Sequence, residues 1–187
     1  HVFTWGIGLI GQLGHNDEED QLAPRQVDPW RFAPEEGEGG PSGQGEKVVF
    51  VAAGANHTVA VTAGGRLYTW GSCFFGQLGH GDTDHRLVPT LVVGGGTGPA
   101  FGAPEGGQVV MAACGGAHTL VVTQDGALWA CGRACFGELG LSDRAERHVF
   151  QRIGGTTGAA FGGARVVAAA AGFSHSAAVT ADGALWT

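Results

Sequence analysis

Short apolar runs broken by glycine recur along the whole chain. Val48 to Ala52 is apolar and rich in β-branched residues, and His57-Thr58-Val59-Ala60-Val61-Thr62 is a second such run. Both read as short strands, because β-branched side chains pack well on a pleated surface. Gly64-Gly65 follows, and then Leu67 to Trp70 gives a third run. The same turn slot holds Asp125-Gly126 and Asp182-Gly183 further on. Asp-Gly between apolar runs is a hairpin signal, so the second and third strands pair in each unit. A fourth strand is expected near Val88-Pro89-Thr90-Leu91-Val92. Its proline places it at a sheet edge, since proline has no N–H for a central ladder.

These units are internal repeats. Gly-Gln-Leu-Gly stands at 11–14 and 76–79, and Gly-Glu-Leu-Gly at 137–140. Ala53-Gly54-Ala55-Asn56-His57-Thr58 returns as Cys114-Gly115-Gly116-Ala117-His118-Thr119 and as Ala171-Gly172-Phe173-Ser174-His175-Ser176. Leu67-Tyr68-Thr69-Trp70-Gly71 matches Val2-Phe3-Thr4-Trp5-Gly6, Leu128-Trp129-Ala130-Cys131-Gly132 and Leu185-Trp186-Thr187. The markers keep one order throughout. Repeat units of roughly 1–47, 48–108, 109–165 and 166–187 follow, the first and last incomplete. Four short strands per unit is the arithmetic of a β-propeller blade, and a stacked solenoid is the alternative.

The ordered set Ala-Gly-x-x-His-Thr, x-Gly-x-Leu-Tyr-x-Trp-Gly and Gly-Gln-Leu-Gly-His-Gly-Asp at 76–82, with Pro89 seven residues on, resembles the repeat of the regulator of chromosome condensation (RCC1) family. The resemblance covers nearly the whole chain. It implies an all-β fold: a partial propeller of four-stranded blades, about three repeats where family members build seven. A full ring then needs further repeats or other chains. The resemblance implies a protein-interaction module within a larger regulatory protein, whose partner is another protein such as a small GTPase or a ubiquitin-pathway component. Two alternatives stand beside it: a guanine-nucleotide exchange factor for a Ran-type GTPase, and a secreted binder or inhibitor.

Composition narrows this picture. The hydrophobic content of 43% supports a core, while 36 glycines disfavour long helices. The formal net charge is −7 and no two Lys or Arg residues are adjacent, so the basic footprint of a nucleic-acid binder is missing. No apolar stretch is long enough for a membrane helix. No signal peptide opens the chain, but its first residue is His1 and not Met, so the true N-terminus is expected elsewhere; the sparse cysteines read as free thiols, and the expected location is intracellular, cytoplasmic or nuclear. Cys73, Cys114, Cys131 and Cys135 fit neither a disulfide scaffold nor a common zinc pattern.

Candidate chemistry is sparse. Gly6-Ile7-Gly8-Leu9-Ile10-Gly11 matches a dinucleotide fingerprint, but turn-like residues follow where a helix is required. No nucleophile–base pair or phosphate-binding loop recurs, so no catalytic, cofactor or metal residue is assigned. Leu13, Leu78 and Leu139 are expected to plug between blades, held by flanking glycines of positive φ. Asp17, Asp82 and Asp143 share one slot and read as turn caps. The tryptophans of the third strands read as core, with the Trp129 ring on the opposite face from Trp70 and Cys131 in the Trp70 slot. Binding specificity belongs to positions that differ between repeats. Phe74, Phe75 and Arg133 are therefore the candidate partner contacts, joined by Asp82 and by the repeated His57, His118 and His175. Phe32–Glu46, Gly94–Gly107 and Gly154–Ala164 are expected to be surface loops on one side.

Overall fold

A computed structural model describes residues 1–33, 45–93, 101, 107–154 and 159–187. Its thirteen strands form four antiparallel sheets in chain order. Blade I pairs β1 (Phe3–Gly6) with β2 (Gln21–Gln26). Blade II holds β3 (Val48–Ala53), β4 (His57–Thr62), β5 (Leu67–Gly71) and β6 (Arg86–Leu91). Blade III repeats the pattern with β7 (Val109–Cys114), β8 (His118–Thr123), β9 (Leu128–Gly132) and β10 (Arg147–Arg152). Blade IV has β11 (Val166–Ala171), β12 (Ser176–Thr180) and β13 (Leu185–Trp186). Each sheet is a meander, and the first strands β3, β7 and β11 lie beside one another.

The sequence pattern is visible in the burial. β4 and β8 are second strands, flanked within their sheets and covered on both faces, and every residue of each is buried. Their runs are accordingly continuous in apolar and Thr residues. The proline-bearing fourth strand is the sheet edge, with Pro89 buried. The hairpins between second and third strands are not two-residue turns. Gly65, Gly126 and Gly183 take φ of 76°, 84° and 85°, whereas Asp125 and Asp182 keep negative φ. The Gly65 N–H closes the turn on the Thr62 carbonyl, and Gly126 does the same on Thr123. This is a three-residue connection whose last glycine forms a bulge.

Three apolar clusters fill the spaces between blades. One packs Val2, Val27 and Phe32 against Ala60, Tyr68 and Trp70. A second joins Val59, Val61 and Leu67 of blade II to Val109, Val121, Cys131 and Phe150 of blade III. The third joins Leu120, Leu139 and Ile153 to Val166, Ala169 and Ala178 of blade IV. Leu13, Leu78 and Leu139 are buried as plugs. Trp70 and Trp129 are placed differently from the sequence reading. Trp129 stands in the Tyr68 slot, two residues from Cys131, so both point to the same face of β9 and pack in one cluster. Trp5 is largely exposed and Trp186 partly so, packed edge-on against Phe161, so burial within the apolar clusters holds for the two middle tryptophans. Most of the three long connections lies outside the described residues.

Candidate functional site at the loop face of the blades

Each connection from third to fourth strand leaves the same end of its sheet as the turn between first and second strands. These connections carry the candidate residues Phe74, Phe75, Asp82 and Arg133, and their construction can be followed from the backbone outwards.

The Gly-Gln-Leu-Gly loop is held by its own polar residue. The side-chain oxygen of Gln12 accepts from the Ile10 N–H, that of Gln77 from Phe75 and that of Glu138 from Phe136, at 2.9, 2.9 and 2.7 Å. The glycine after the leucine lets the next blade approach. A Cβ on Gly79 would sit 2.3 Å from the Phe150 ring, and one on Gly14 would sit 2.8 Å from the Trp70 indole nitrogen. The Asp of the loop then caps the turn into the fourth strand. Asp82 accepts from the Asp84 N–H and pairs with Arg86 at 2.7 Å, and Asp143 does likewise with Ala145 and Arg147. The Arg86 guanidinium and the Asp84 N–H hold the Asp82 carboxyl below its usual range, against the upward push of burial. Asp82 is thus committed to its own loop, as the turn-cap reading expects.

The repeated histidines are joints between blades. Thr119 Oγ1 donates to the Gln77 carbonyl oxygen at 2.7 Å, so its proton is spent. His57 Nε2 lies 2.9 Å from Thr119 Oγ1 and is therefore the donor to that hydroxyl oxygen. The next joint repeats this: Ser176 donates to the Glu138 carbonyl, and His118 Nε2 donates to Ser176. In both rings Nδ1 is buried without a partner. Glycine is needed three residues earlier, because a Cβ at Gly54 or Gly115 would enter the ring at 2.7 or 2.2 Å. Burial, reinforced by His118, brings His57 down to about 4, and burial also lowers His118. Both are neutral near pH 7. Being buried at 1% and 0% exposure, they lie out of a partner's reach, which corrects their place among the candidate contacts. His175 has the same local fold but is exposed.

Two of the remaining candidates, Phe75 and Arg133, converge. Arg133 lies with its guanidinium carbon 5.9, 5.6 and 5.9 Å from the rings of Phe75, Phe136 and Phe173, which come from three different blades. It pairs with Glu138 at 3.0 Å and donates to Ser174 Oγ at 2.8 Å. Burial pushes the Glu138 carboxyl up, but the backbone donors and Arg133 outweigh it and hold it below the usual range. Phe74 is 61% exposed and stacks edge-on against His85. Phe136 and Phe173 are 71% and 70% exposed. Among the described residues no group of three or more His, Cys, Asp or Glu is placed to hold a metal.

The repeat registers in this description are those of a known family. The profile of the Regulator of chromosome condensation (RCC1) repeat matches residues 1–61, 64–122 and 125–179. The chain belongs to the RCC1 repeat family. Relatives include the "Ultraviolet-B receptor UVR8" of Arabidopsis thaliana, 37% identical over 99% of this chain and 36% of the receptor. The human "E3 ubiquitin-protein ligase HERC2" is 35% identical over 100% of this chain and 3% of the ligase. The crystal structure of Prp20p from Saccharomyces cerevisiae superposes with a TM-score of 0.71 at 20% identity, over 94% of this chain and 38% of that one. The chain thus spans about a third of the receptor's length and a small fraction of the ligase's. The fold is a partial β-propeller of RCC1-type blades.

Sequence reasoning missed Phe136, Phe173 and Glu138. The signal for Glu138 was present in the RCC1 register, since the one repeat with Glu for Gln is also the one with Arg133 for Ser72. In blade II the same two slots hold a neutral pair, Gln77 Nε2 donating to Ser72 Oγ at 3.3 Å.

Proposed function

We propose that the chain is a protein-interaction module of RCC1 type, acting within a larger intracellular regulatory protein, and that its loop face is the contact surface. The supporting observation is the gathering of Phe75 and the exposed Phe136 and Phe173 around Arg133, with the exposed Phe74 on the same blade II loop as Phe75. Large apolar side chains grouped on one face mark an interaction site. The fixed blades serve as scaffold, and no covalent step is assigned to any residue. Phe74, Phe75 and Arg133 are the proposed contacts, with Asp82 shaping the loop and His175 at its margin.

The test is partner capture by the tagged chain, followed by identification of bound proteins. Phe74→Ser with Phe136→Ser is expected to lose the specific partners while the melting temperature stays near that of the parent. Retention of every partner removes the loop face from consideration.

A second reading is nucleotide exchange on a Ran-type GTPase. It is favoured by the shared fold with Prp20p, whose structure is described with "Its Binding Properties to Gsp1p and Histones". Release of a labelled guanine nucleotide from such a GTPase is the measurement. No acceleration by the intact protein eliminates exchange and leaves the interaction module standing.

A further inference from the structure

The exposed apolar side chains continue beyond the phenylalanines into blade I. Ile7 and Leu9, 62% and 66% exposed, occupy the same loop of that blade. Asn16 N–H donates to the Leu87 carbonyl in β6, and Gly81 N–H to the His148 carbonyl in β10, so each loop is tied to the fourth strand of the next blade. Ile7, Leu9, Phe74 and Phe136 thus stand exposed on the third-to-fourth-strand loops of three consecutive blades, and Phe173 on the β11–β12 turn of the fourth, an apolar strip along one end of the blades.

Charge along the strip is uneven. At the blade III end, Arg133 is neutralised by Glu138 and Arg147 by Asp143. At the blade I end stands an uninterrupted acidic run, Asp17-Glu18-Glu19-Asp20. It folds directly onto the apolar residues. Asp20 Oδ1 accepts from the Gly8 N–H, between Ile7 and Leu9, and a Cβ on Gly8 would meet the Glu19 carbonyl. Asp17 is paired with Arg25, whereas the exposed carboxylates of Glu18, Glu19 and Asp84 have no ion pair among the described residues. The strip is therefore apolar along its length and negative at one end.

We propose that this strip receives a segment of a partner protein in which apolar anchors are flanked by Lys or Arg. The anchors lie on Phe74, Phe136 and Phe173, and the basic flank lies over Glu18, Glu19 and Asp84. The acidic end repels nucleic acid and anionic lipid headgroups. A second copy of this chain is a poor occupant, because most of the strip's own arginines are already paired. This assignment rests on the interaction-module reading and names the chemistry of its partner.

The probes are three labelled synthetic peptides sharing one Leu- and Trp-containing apolar core, flanked by lysine, serine or glutamate. Binding to the intact chain is followed by fluorescence anisotropy. The lysine peptide is expected to bind at least about tenfold more tightly than the glutamate peptide, with the advantage shrinking as salt rises from about 50 to about 500 mM. The triple variant Glu18→Gln, Glu19→Gln, Asp84→Asn is expected to remove the advantage, and Phe74→Ser with Phe136→Ser to abolish binding. Circular dichroism checks that both variants keep the parent fold. Equal binding of the three peptides, no binding of any, or lysine-peptide binding indifferent to both variants overturns the proposal. The two readings separate in partner capture. Capture lost with the phenylalanines but untouched by the acid-to-amide triple leaves the module intact and overturns the basic partner. Capture untouched by both overturns the two together.

Discussion

Blades II and III are built on one skeleton, yet they differ at three pairs of touching residues, and each pair changes as a unit. Ser72 and Gln77 become Arg133 and Glu138, a neutral hydrogen bond replaced by an ion pair. Thr69 and His80, 2.9 Å apart, become Ala130 and Leu141, which share an apolar cluster. Trp70 and Pro89, packed against Gly14, become Cys131 and Phe150, packed against Gly79. In none of these three pairs is one residue kept where its partner has been replaced, in line with the cost of leaving a buried group unmatched. The Gly-x-Leu-Gly joints, by contrast, keep both of their glycines in each of the two blades.

The comparison can be broken most severely at those joints. Gly79 and Gly140 occupy one slot, with φ of 79° and 66°. A side chain on Gly79 drives into Phe150, whereas one on Gly140 meets Ile153 only at ordinary contact distance. Gly79→Val is therefore expected to cost about 4 kcal/mol in urea denaturation, and Gly140→Val about half of that, from backbone strain alone. Equal losses would show that the next blade does not press on this loop.

Acid is the next most disruptive change. His57 titrates at about 4 in the fold against 6.5 in the unfolded chain, so the unfolded chain binds the extra proton. Its contribution is complete above about pH 6.5 and is lost as the pH falls to about 4. The loss is on the order of 3 kcal/mol for a wholly buried ring. Carboxylates held below their usual range, such as Asp82 and Glu138, act only at lower pH, so the windows separate. Denaturation midpoints between pH 7 and 4.5 should fall in the parent and fall less in His57→Gln, whose amide cannot titrate.

The paired exchanges give smaller and more discriminating effects. Arg133→Ala leaves Glu138 buried without its cation and is expected to cost about 2 kcal/mol. Arg133→Ser with Glu138→Gln recreates the blade II pair and is expected to recover most of that loss. Additive losses in this double-mutant cycle would refute the exchange as a unit. Smallest is His80→Leu, at about 1 kcal/mol, because Thr69 keeps its bond to the Leu78 carbonyl.

The blade skeleton was readable because it is local. Gly-x-x-His, the turn glycine and Gly-Gln-Leu-Gly each fix a backbone shape within a few residues, and repetition identified them. The site was only partly readable. Phe74, Phe75 and Arg133 stood out by differing between repeats. The ring of Phe75, Phe136 and Phe173 around Arg133 depends on three loops meeting across blade boundaries, which spacing along one chain does not encode. The repeated histidines read from sequence both as structural groups and as weaker contact candidates, and for His57 and His118 the buried bond to the neighbouring blade's hydroxyl supports the first reading. Trp129 was assigned to the wrong face by miscounting its slot; period two along β9 puts it with Cys131.

The His57–Thr119–Gln77 joint has a consequence for the history of such chains. Every complete blade carries both halves of it, the histidine and carbonyl on one flank and the hydroxyl on the other. A duplicated blade therefore arrives already fitted to its neighbours on either side. Recombination can then lengthen or shorten the array while keeping this joint, and sequence drift is left to act on the loop tips and on the touching pairs that change together.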